Sequence, residues 1–130
     1  MKTNYHLIAM VGILVLTTSC KDKEAVSPDI TVLSPKPHQV IEDKDSVEIK
    51  AVFKPKGASI TSYSMTVKDK QDKLLFNDQR SCDCKSRDKV EVKASFRHDV
   101  DKTSDLFLEI KAVLDDGREI GEKIPFILAE

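Results

Sequence analysis

Apolar and polar side chains alternate with a period of two along most of the chain after residue 30. The clearest segments are residues 46–54, 60–68, 90–96 and 107–114, in which apolar side chains recur at alternate positions. A period of two gives a strand one apolar face for a core and one polar face for water. No segment after residue 20 has a sustained helical period, so the pattern predicts an all-β domain.

Shorter apolar runs predict the remaining strands, which are residues 30–33, 40–41, 74–76 and 118–128. Pro125 falls in the last of them, where proline is tolerated only at an edge or a bulge. Asp116-Gly117 predicts a two-residue hairpin turn, because glycine readily supplies positive φ. Strands with one apolar face need a second sheet to cover them. We therefore expect one sandwich of about seven antiparallel strands in residues 30–130.

The first twenty residues follow a different pattern. Lys2 precedes an uncharged apolar run over residues 7–16, and small residues then lead to Cys20. A basic start, a short apolar run and a small-residue cleavage site form the layout of a secretory signal peptide. The run is shorter than the roughly 20 residues needed to span a bilayer. We therefore expect residues 1–19 to be removed.

The residues before Cys20 resemble the lipobox of bacterial lipoproteins. They read Leu-Thr-Thr-Ser-Cys, with leucine four residues before the cysteine rather than three, as in relaxed lipoboxes of Bacteroidetes-type lipoproteins. The resemblance implies a diacylglyceryl group on the Cys20 thiol and a further acyl chain, such as palmitate, on its amino group. Several acyl chains anchor stably, since each buried CH₂ contributes roughly 0.8 kcal/mol. The alternative is an ordinary secreted protein in which Cys20 has no such role.

This resemblance predicts an outer-membrane lipoprotein with a flexible tether over residues 20–29. The charged residues 21–24 resemble the short tag that marks Bacteroidetes lipoproteins for the outer face of the outer membrane. Mixed charges also suit any solvated linker. Both the cell surface and the periplasm-facing side therefore remain open.

Composition limits the class of partner. Without residues 1–19, the chain has 111 residues, enough for one domain, with 20 basic and 22 acidic side chains and a net charge of −2. Such a balance argues against nucleic acid, which favours a basic face. Tryptophan is absent and aromatic residues make up 5% of the chain. Stacking platforms for sugars are therefore scarce, although a protein or glycan partner stays open.

The predicted domain resembles immunoglobulin-like and fibronectin type III-like domains. The stretch DLFLEIKAVLDDGREIGEKIPFIL resembles their closing strand pair. ITVLSPKP followed by VIEDKDSVEIKAVF resembles the start of bacterial Ig-like repeats carried by lipoproteins. The resemblance implies an Ig-like sandwich in which Tyr63 or Met65 takes the core position usually held by tryptophan.

Cys82 and Cys84 form the one constellation with potential chemistry. In a strand their Cα atoms would lie about 6.6–6.8 Å apart, at the limit for a disulfide, whereas a tight loop brings them closer. The exported compartment is oxidising, which favours a loop disulfide or a bridge to a partner. Basic neighbours favour thiolates, so a small envelope redox protein or a soft-metal site is the alternative.

Other candidate residues predict no catalysis. His38 and His98 lack ligand-spaced partners, and no serine lies in a Gly-x-Ser-x-Gly setting. The aspartates of the predicted turns lack the spacing of a calcium loop. We therefore predict a lipid-anchored binding or structural module of the cell envelope that is not an enzyme, requires no cofactor and recognises partners through loops and edge strands.

Overall fold

The computed structural model describes residues 29–130, which form two β-sheets packed as a sandwich. The predicted signal peptide, Cys20 and nearly all of the tether lie outside the described residues. The described part contains strands and no helix, so the predicted all-β sandwich is confirmed. Its strands are β1 (Ile30–Ser34), β2 (Val40–Glu42), β3 (Val47–Phe53), β4 (Ile60–Asp69), β5 (Leu74–Ser81), β6 (Val90–Phe96), β7 (Ser104–Leu114) and β8 (Glu119–Ala129).

The two sheets contain three and five strands. One has the order β1-β3-β6, and the other has the order β2-β8-β7-β4-β5. This division, with strands close in sequence assigned to different sheets, is typical of an Ig-like sandwich. The sequence predicts about seven strands, all antiparallel. Residues 29–130 contain eight strands, and one pairing is not antiparallel, because β2 runs parallel to β8. The chain leaves the first sheet after β1 and reaches the second sheet running in the same direction as β8.

The core lies between the sheets and follows the alternation in the sequence. In β7 every second side chain from Leu106 to Leu114 is at most 2% exposed. Burial of one such aliphatic side chain contributes roughly 1.5–3 kcal/mol. Met65 is fully buried, and the Tyr63 ring lies 5.8 Å from that of Phe53. Both residues expected at the tryptophan position therefore face the core.

The β7–β8 hairpin closes through three residues, so the predicted two-residue turn is wrong. The Gly117 N–H donates to the Leu114 carbonyl at 3.0 Å, and the Leu114 N–H donates to the Arg118 carbonyl at 2.9 Å. Gly117 has φ = 86°, while Asp116 stays at negative φ. This is a type I turn followed by a glycine bulge. Asp116-Gly117 still marks the hairpin correctly.

Strand β5 extends five residues beyond the predicted 74–76 and ends at Ser81. Its second half is polar on both faces, with Asn77, Asp78, Gln79 and Arg80 all paired to β4. Where an edge strand is not packed against the other sheet, neither of its faces has to be apolar. The sequence of this half of β5 therefore lacks the alternation of a half-buried strand.

Pro125 lies in β8 with its backbone directed away from β7. The His38 N–H donates to the Pro125 carbonyl at 2.7 Å on the β2 side of the strand. Because the N and C=O of one residue point to the same side of a strand, the missing N–H removes no bond from the β7–β8 ladder. The position agrees with the expectation that this proline lies toward an edge.

Candidate functional site

The outer face of the β7–β8 hairpin carries a groove of about 510 Å³. Phe107, Glu109 and Lys111 line it from β7, where they alternate with buried side chains. Across the ladder, Phe107 pairs with Pro125 and Lys111 pairs with Gly121. Gly121 has no side chain, so the surface forms a depression at Gly121, beside the long side chain of Lys111 on the neighbouring strand. The groove therefore has an apolar floor between charged side chains.

Phe107 gives the groove an aromatic surface. Its ring is half-buried on the outer face, and the Lys123 Nζ lies 4.8 Å from the ring centroid. A cation over an aromatic ring at this distance is attracted by the ring quadrupole. Phe107 therefore gives this face an aromatic surface in a chain whose composition makes such surfaces scarce.

Charges of both signs surround this apolar floor. The Lys111 Nζ lies 2.8 Å from Glu109 Oε1 and 3.8 Å from Glu119 Oε1. The hydrogen bond from Lys111 lowers the pKa of Glu109, and nearby Lys68 and Lys123 add to that effect. The same hydrogen bond raises the pKa of Lys111. Both groups therefore stay charged at neutral pH, and the groove suits a ligand with an apolar group and polar ends.

The adjoining edge of β8 is open over part of its length. The ladder with β2 begins at Ile127, whose N–H donates to the Gln39 carbonyl at 2.8 Å. Backbone groups of Pro125, Ile127 and Ala129 all face β2, so the alternation of the strand directs those of residues 119, 121 and 123 to the same side. Within residues 29–130, no strand pairs with the edge at these three positions.

Glu122 lies beside this open edge and faces inward. It pairs across the ladder with Ile110, which has no exposed surface. Its Oε2 atom is buried and lacks a hydrogen-bond partner within the described residues. Burial raises the pKa of Glu122, because the charged form loses hydration. A carboxylate in this position favours a neighbour that can donate a hydrogen bond.

Cys82 and Cys84 lie in the tight loop that follows β5, joined by a disulfide with a Cα–Cα distance of 5.3 Å. The Cys82 N–H donates to the Thr61 carbonyl at 2.9 Å, and Cys84 is 2% exposed. Within residues 29–130, no three Cys, His, Asp or Glu side chains are grouped so that they could hold a metal ion.

The other candidate residues do not converge on the groove. His38 is an exposed loop residue, and His98, partly buried, follows the end of β6. Turn aspartates bind backbone instead: Asp115 Oδ1 accepts from the Ser59 N–H at 3.1 Å, and Asp116 Oδ1 accepts from the Arg118 N–H at 3.0 Å. These contacts stabilise turns, as expected of short acidic side chains.

Cys20 lies outside the described residues, so its acylation stays a prediction. Over residues 29–130, the structure contains no helix long and apolar enough to cross a membrane.

Sequence reasoning missed Phe107, Gly121 and Glu122 as members of a surface. Two signals were available in the alternation. Phe107 is an aromatic residue at a position where its strand has polar side chains, and Glu122 shares the phase of buried Ile124 and Phe126. Gly121 carried no such signal, since its effect depends on the register that places it opposite Lys111.

No family model matches the sequence, and no curated protein matches it significantly. Among solved structures, fibronectin(III)-like modules of Clostridium thermocellum CbhA are similar to this chain. The identity is 21% and the TM-score is 0.48, with 76% of this chain and 93% of that chain covered.

Proposed function

We propose that this protein is a non-catalytic binding module of the bacterial cell envelope, anchored by lipid on Cys20. The observation that carries the binding role is the coincidence of two recognition features on one hairpin. The β7–β8 pair carries the groove on its outer face and an unpaired backbone edge beside it. The likeness of residues 16–20 to a lipobox supports the anchor.

Recognition in this proposal uses side chains and backbone together. Phe107 and Pro125 supply apolar contact, while Glu109 and Lys111 supply charged groups. A rigid antiparallel sheet holds these side chains in place, so little order has to be gained when a partner binds. The partner is a protein or a glycan of the envelope or its surroundings.

Acylation is tested by metabolic labelling with an alkyne palmitate analogue in an expressing bacterium. We expect the full chain to be labelled and the Cys20→Ser variant to be unlabelled and retained as an uncleaved precursor. Cys82→Ser is the matched control, because it makes the same substitution outside the lipobox. Equal labelling of the unmodified chain and Cys20→Ser would remove the lipid anchor from the proposal.

Protease treatment of intact cells separates the two membrane faces. Loss of the domain from intact cells would support the tag at residues 21–24 and the cell surface. Protection until the cells are lysed would instead refute the tag and support a periplasm-facing domain.

The binding role is tested by site-specific photo-crosslinking in intact cells. A photoreactive residue in place of Lys123 lies at the groove, and one in place of exposed Lys93 lies on the outer face of the other sheet. We expect a discrete crosslinked species from position 123 and none from position 93. Equal crosslinking from both positions would show that the hairpin is not the recognition surface.

A second candidate function is a redox or soft-metal role for Cys82 and Cys84. The Cα distance of 5.3 Å lies within the range of a disulfide bridge, so a redox role has the bridge it needs, whereas a metal would need ligands besides the two thiols. Intact mass with and without reductant, together with metal analysis, separates the alternatives. A stable bridge without bound metal would exclude the metal role, and two free thiols with bound metal would support it.

A further inference from the structure

We infer that the open edge of β8, residues 119–124, binds an extended peptide strand of a partner protein. The strand carries a basic side chain beside Glu122 and a large aromatic side chain next to it in sequence, over Gly121. This inference rests on the proposed function as a binding module and specifies both the part of the hairpin used and the chemistry of the partner.

The first support is the continuity of the edge with pairing already present. β2 occupies this side of β8 for three residues, in parallel register from Val40↔Ile127 to Glu42↔Ala129. Further along the same side, Glu119, Gly121 and Lys123 each direct one N–H and one C=O away from β7. An added strand satisfies these groups by main-chain hydrogen bonds, as in other cases of strand addition to a sheet edge.

The second support is the unsatisfied carboxylate of Glu122. Its register with Ile110 directs it to the inner face, and its Oε2 is buried without a hydrogen-bond partner among the described residues. Side chains opposite each other on neighbouring strands lie close enough to interact. A lysine or arginine at the facing position of an added strand would donate a charge-assisted hydrogen bond to this oxygen.

The third support is the gap at Gly121 on the outer face. A Cβ built there would approach only the Ile110 carbonyl oxygen, at 3.4 Å, and Lys111 Cγ, at 3.5 Å. An aromatic side chain on a neighbouring strand covers such a glycine, which is a known way to stabilise edge glycines. Because faces alternate along a strand, the aromatic and basic residues of the peptide must be adjacent in sequence.

The same features disfavour a second copy of this chain as the occupant. Two β8 edges paired antiparallel about Gly121 would place each Glu122 opposite Ile120 of the other copy, which offers no side-chain donor, and would leave the two carboxylates as diagonal neighbours. The opposite edge, β5, carries Asp78 on its inner face, since Asp78 pairs with fully buried Met65. Asp78 is already ion-paired, since its Oδ2 lies 3.2 Å from Arg80 Nε, so within the described residues this edge offers no buried unsatisfied acceptor. The β8 edge, with its glycine and its unsatisfied acceptor, is therefore the edge suited to a heterologous strand.

The experiment uses the full chain purified from membranes in detergent micelles and synthetic ten-residue peptides. The reference peptide reads Thr-Val-Thr-Val-Phe-Lys-Thr-Val-Thr-Val with a fluorophore on a Gly-Ser linker. A second peptide replaces its lysine by glutamate. Two further peptides carry N-methyl groups on alternate amides, one peptide on its odd-numbered residues and the other on its even-numbered residues. Only one of these two sets of N–H groups faces β8, so only one of the two peptides is blocked from pairing. Binding is measured by fluorescence anisotropy.

We expect the lysine peptide to bind about tenfold more tightly than the glutamate peptide, as a charged hydrogen bond allows. Glu122→Lys should reverse that order, and Glu122→Gln should reduce the difference. One N-methylated peptide should lose binding, while the other keeps it. In amide exchange resolved by residue, the Glu119, Gly121 and Lys123 N–H groups should exchange at least about tenfold more slowly with peptide bound. Circular dichroism of each variant establishes that it is folded.

Three results would overturn the inference. The first is equal affinity for the lysine and glutamate peptides, including no binding of either. The second is binding without slower exchange at the three edge amides. The third is slower exchange of those amides in samples that contain no peptide, with the slowing increasing as protein concentration rises. That result would identify a second copy of the chain as the occupant. Palmitate labelling of Cys20 and crosslinking from position 123 do not depend on these peptides, so failure of strand addition is distinguishable from failure of the proposed function.

Discussion

Glu122 lies directly across the β7–β8 ladder from Ile110, so a carboxylate occupies the same face as a side chain with no exposed surface. β2 covers this edge of β8 only from Ile127 onward, so the edge beside Glu122 is open within the described residues. Beyond that cover, part of the Glu122 side chain reaches water while Oε2 does not. The residue is therefore a local source of instability at neutral pH that a bound partner can relieve.

The Glu122→Gln substitution tests this relationship through its pH dependence. Burial raises the pKa of Glu122, so the folded chain holds this proton more tightly than the unfolded chain. Below the ordinary glutamate pKa of about 4.3, both states are protonated and there is no penalty. As pH rises from there through the raised value, the unmodified chain loses stability relative to the variant. Because the side chain is partly exposed, the difference at neutral pH should not exceed about 1 kcal/mol.

Urea unfolding between about pH 3.5 and about pH 8 measures this difference. Glu109→Gln, on the outer face of the neighbouring strand, is the contrasting control, because the lowered pKa of Glu109 gives the opposite sign: the unmodified chain should gain stability relative to that variant as pH rises. A Glu122→Gln variant that becomes relatively less stable as pH rises would contradict the assignment, because that sign requires a lowered pKa.

Two glycines of the hairpin should respond to alanine in opposite directions. Gly117 has φ = 86°, where an alanine costs roughly 1–2 kcal/mol. Gly121 has no positive φ, and an added Cβ would make ordinary contacts at 3.4 and 3.5 Å. Alanine there removes the entropic penalty of glycine in a strand and should stabilise the fold by roughly 0.5–1 kcal/mol. Thermal or urea unfolding of both variants measures the signs, and equal shifts would refute the bulge geometry.

The alternation of side chains was sufficient to predict most strands because burial on one face imposes a period of two. Every second residue of β7 from Leu106 to Leu114 is apolar, and all of them are buried. The polar half of β5 was not predictable in this way, since an edge strand is held by pairing with β4 rather than by a buried face. Loop length after Leu114 also required knowledge of the backbone, because the same Asp-Gly pair fits two kinds of turn.

The candidate surface was less predictable than the fold because it depends on register. Phe107 becomes part of a groove only when paired with Pro125, and Gly121 forms a depression only opposite Lys111. Neither pairing follows from local sequence. The Cys82–Cys84 pair was visible in the sequence. Whether the two cysteines lie close enough for a disulfide depends on whether they are in a strand or in a tight loop, and the sequence does not determine that Cα–Cα distance.

The two-sheet core predicts a sharp contrast between two leucines. Leu108 is fully buried in β7, whereas Leu74 on edge strand β5 is 53% exposed. Leu108→Ala should lower the free energy of unfolding by about 2–5 kcal/mol through lost burial and a residual cavity. Leu74→Ala is the matched control and should change it by about 0.5 kcal/mol or less. Urea unfolding measures both values, and similar losses would be inconsistent with the described packing.

Reduction of the Cys82–Cys84 bridge should change stability only modestly. The bridge closes a loop of three residues, and the loop-entropy relation limits its stabilisation to about 2 kcal/mol. Reduction leaves the buried Cys84 side chain in the core, so packing changes little. Urea unfolding with and without reductant measures the effect, and intact mass confirms reduction as the gain of two hydrogens. A loss of unfolding free energy far above about 2 kcal/mol would mean that the bridge positions more of the fold than its own loop. Cys84→Ser should destabilise more than reduction does, because it places a hydroxyl in the apolar interior.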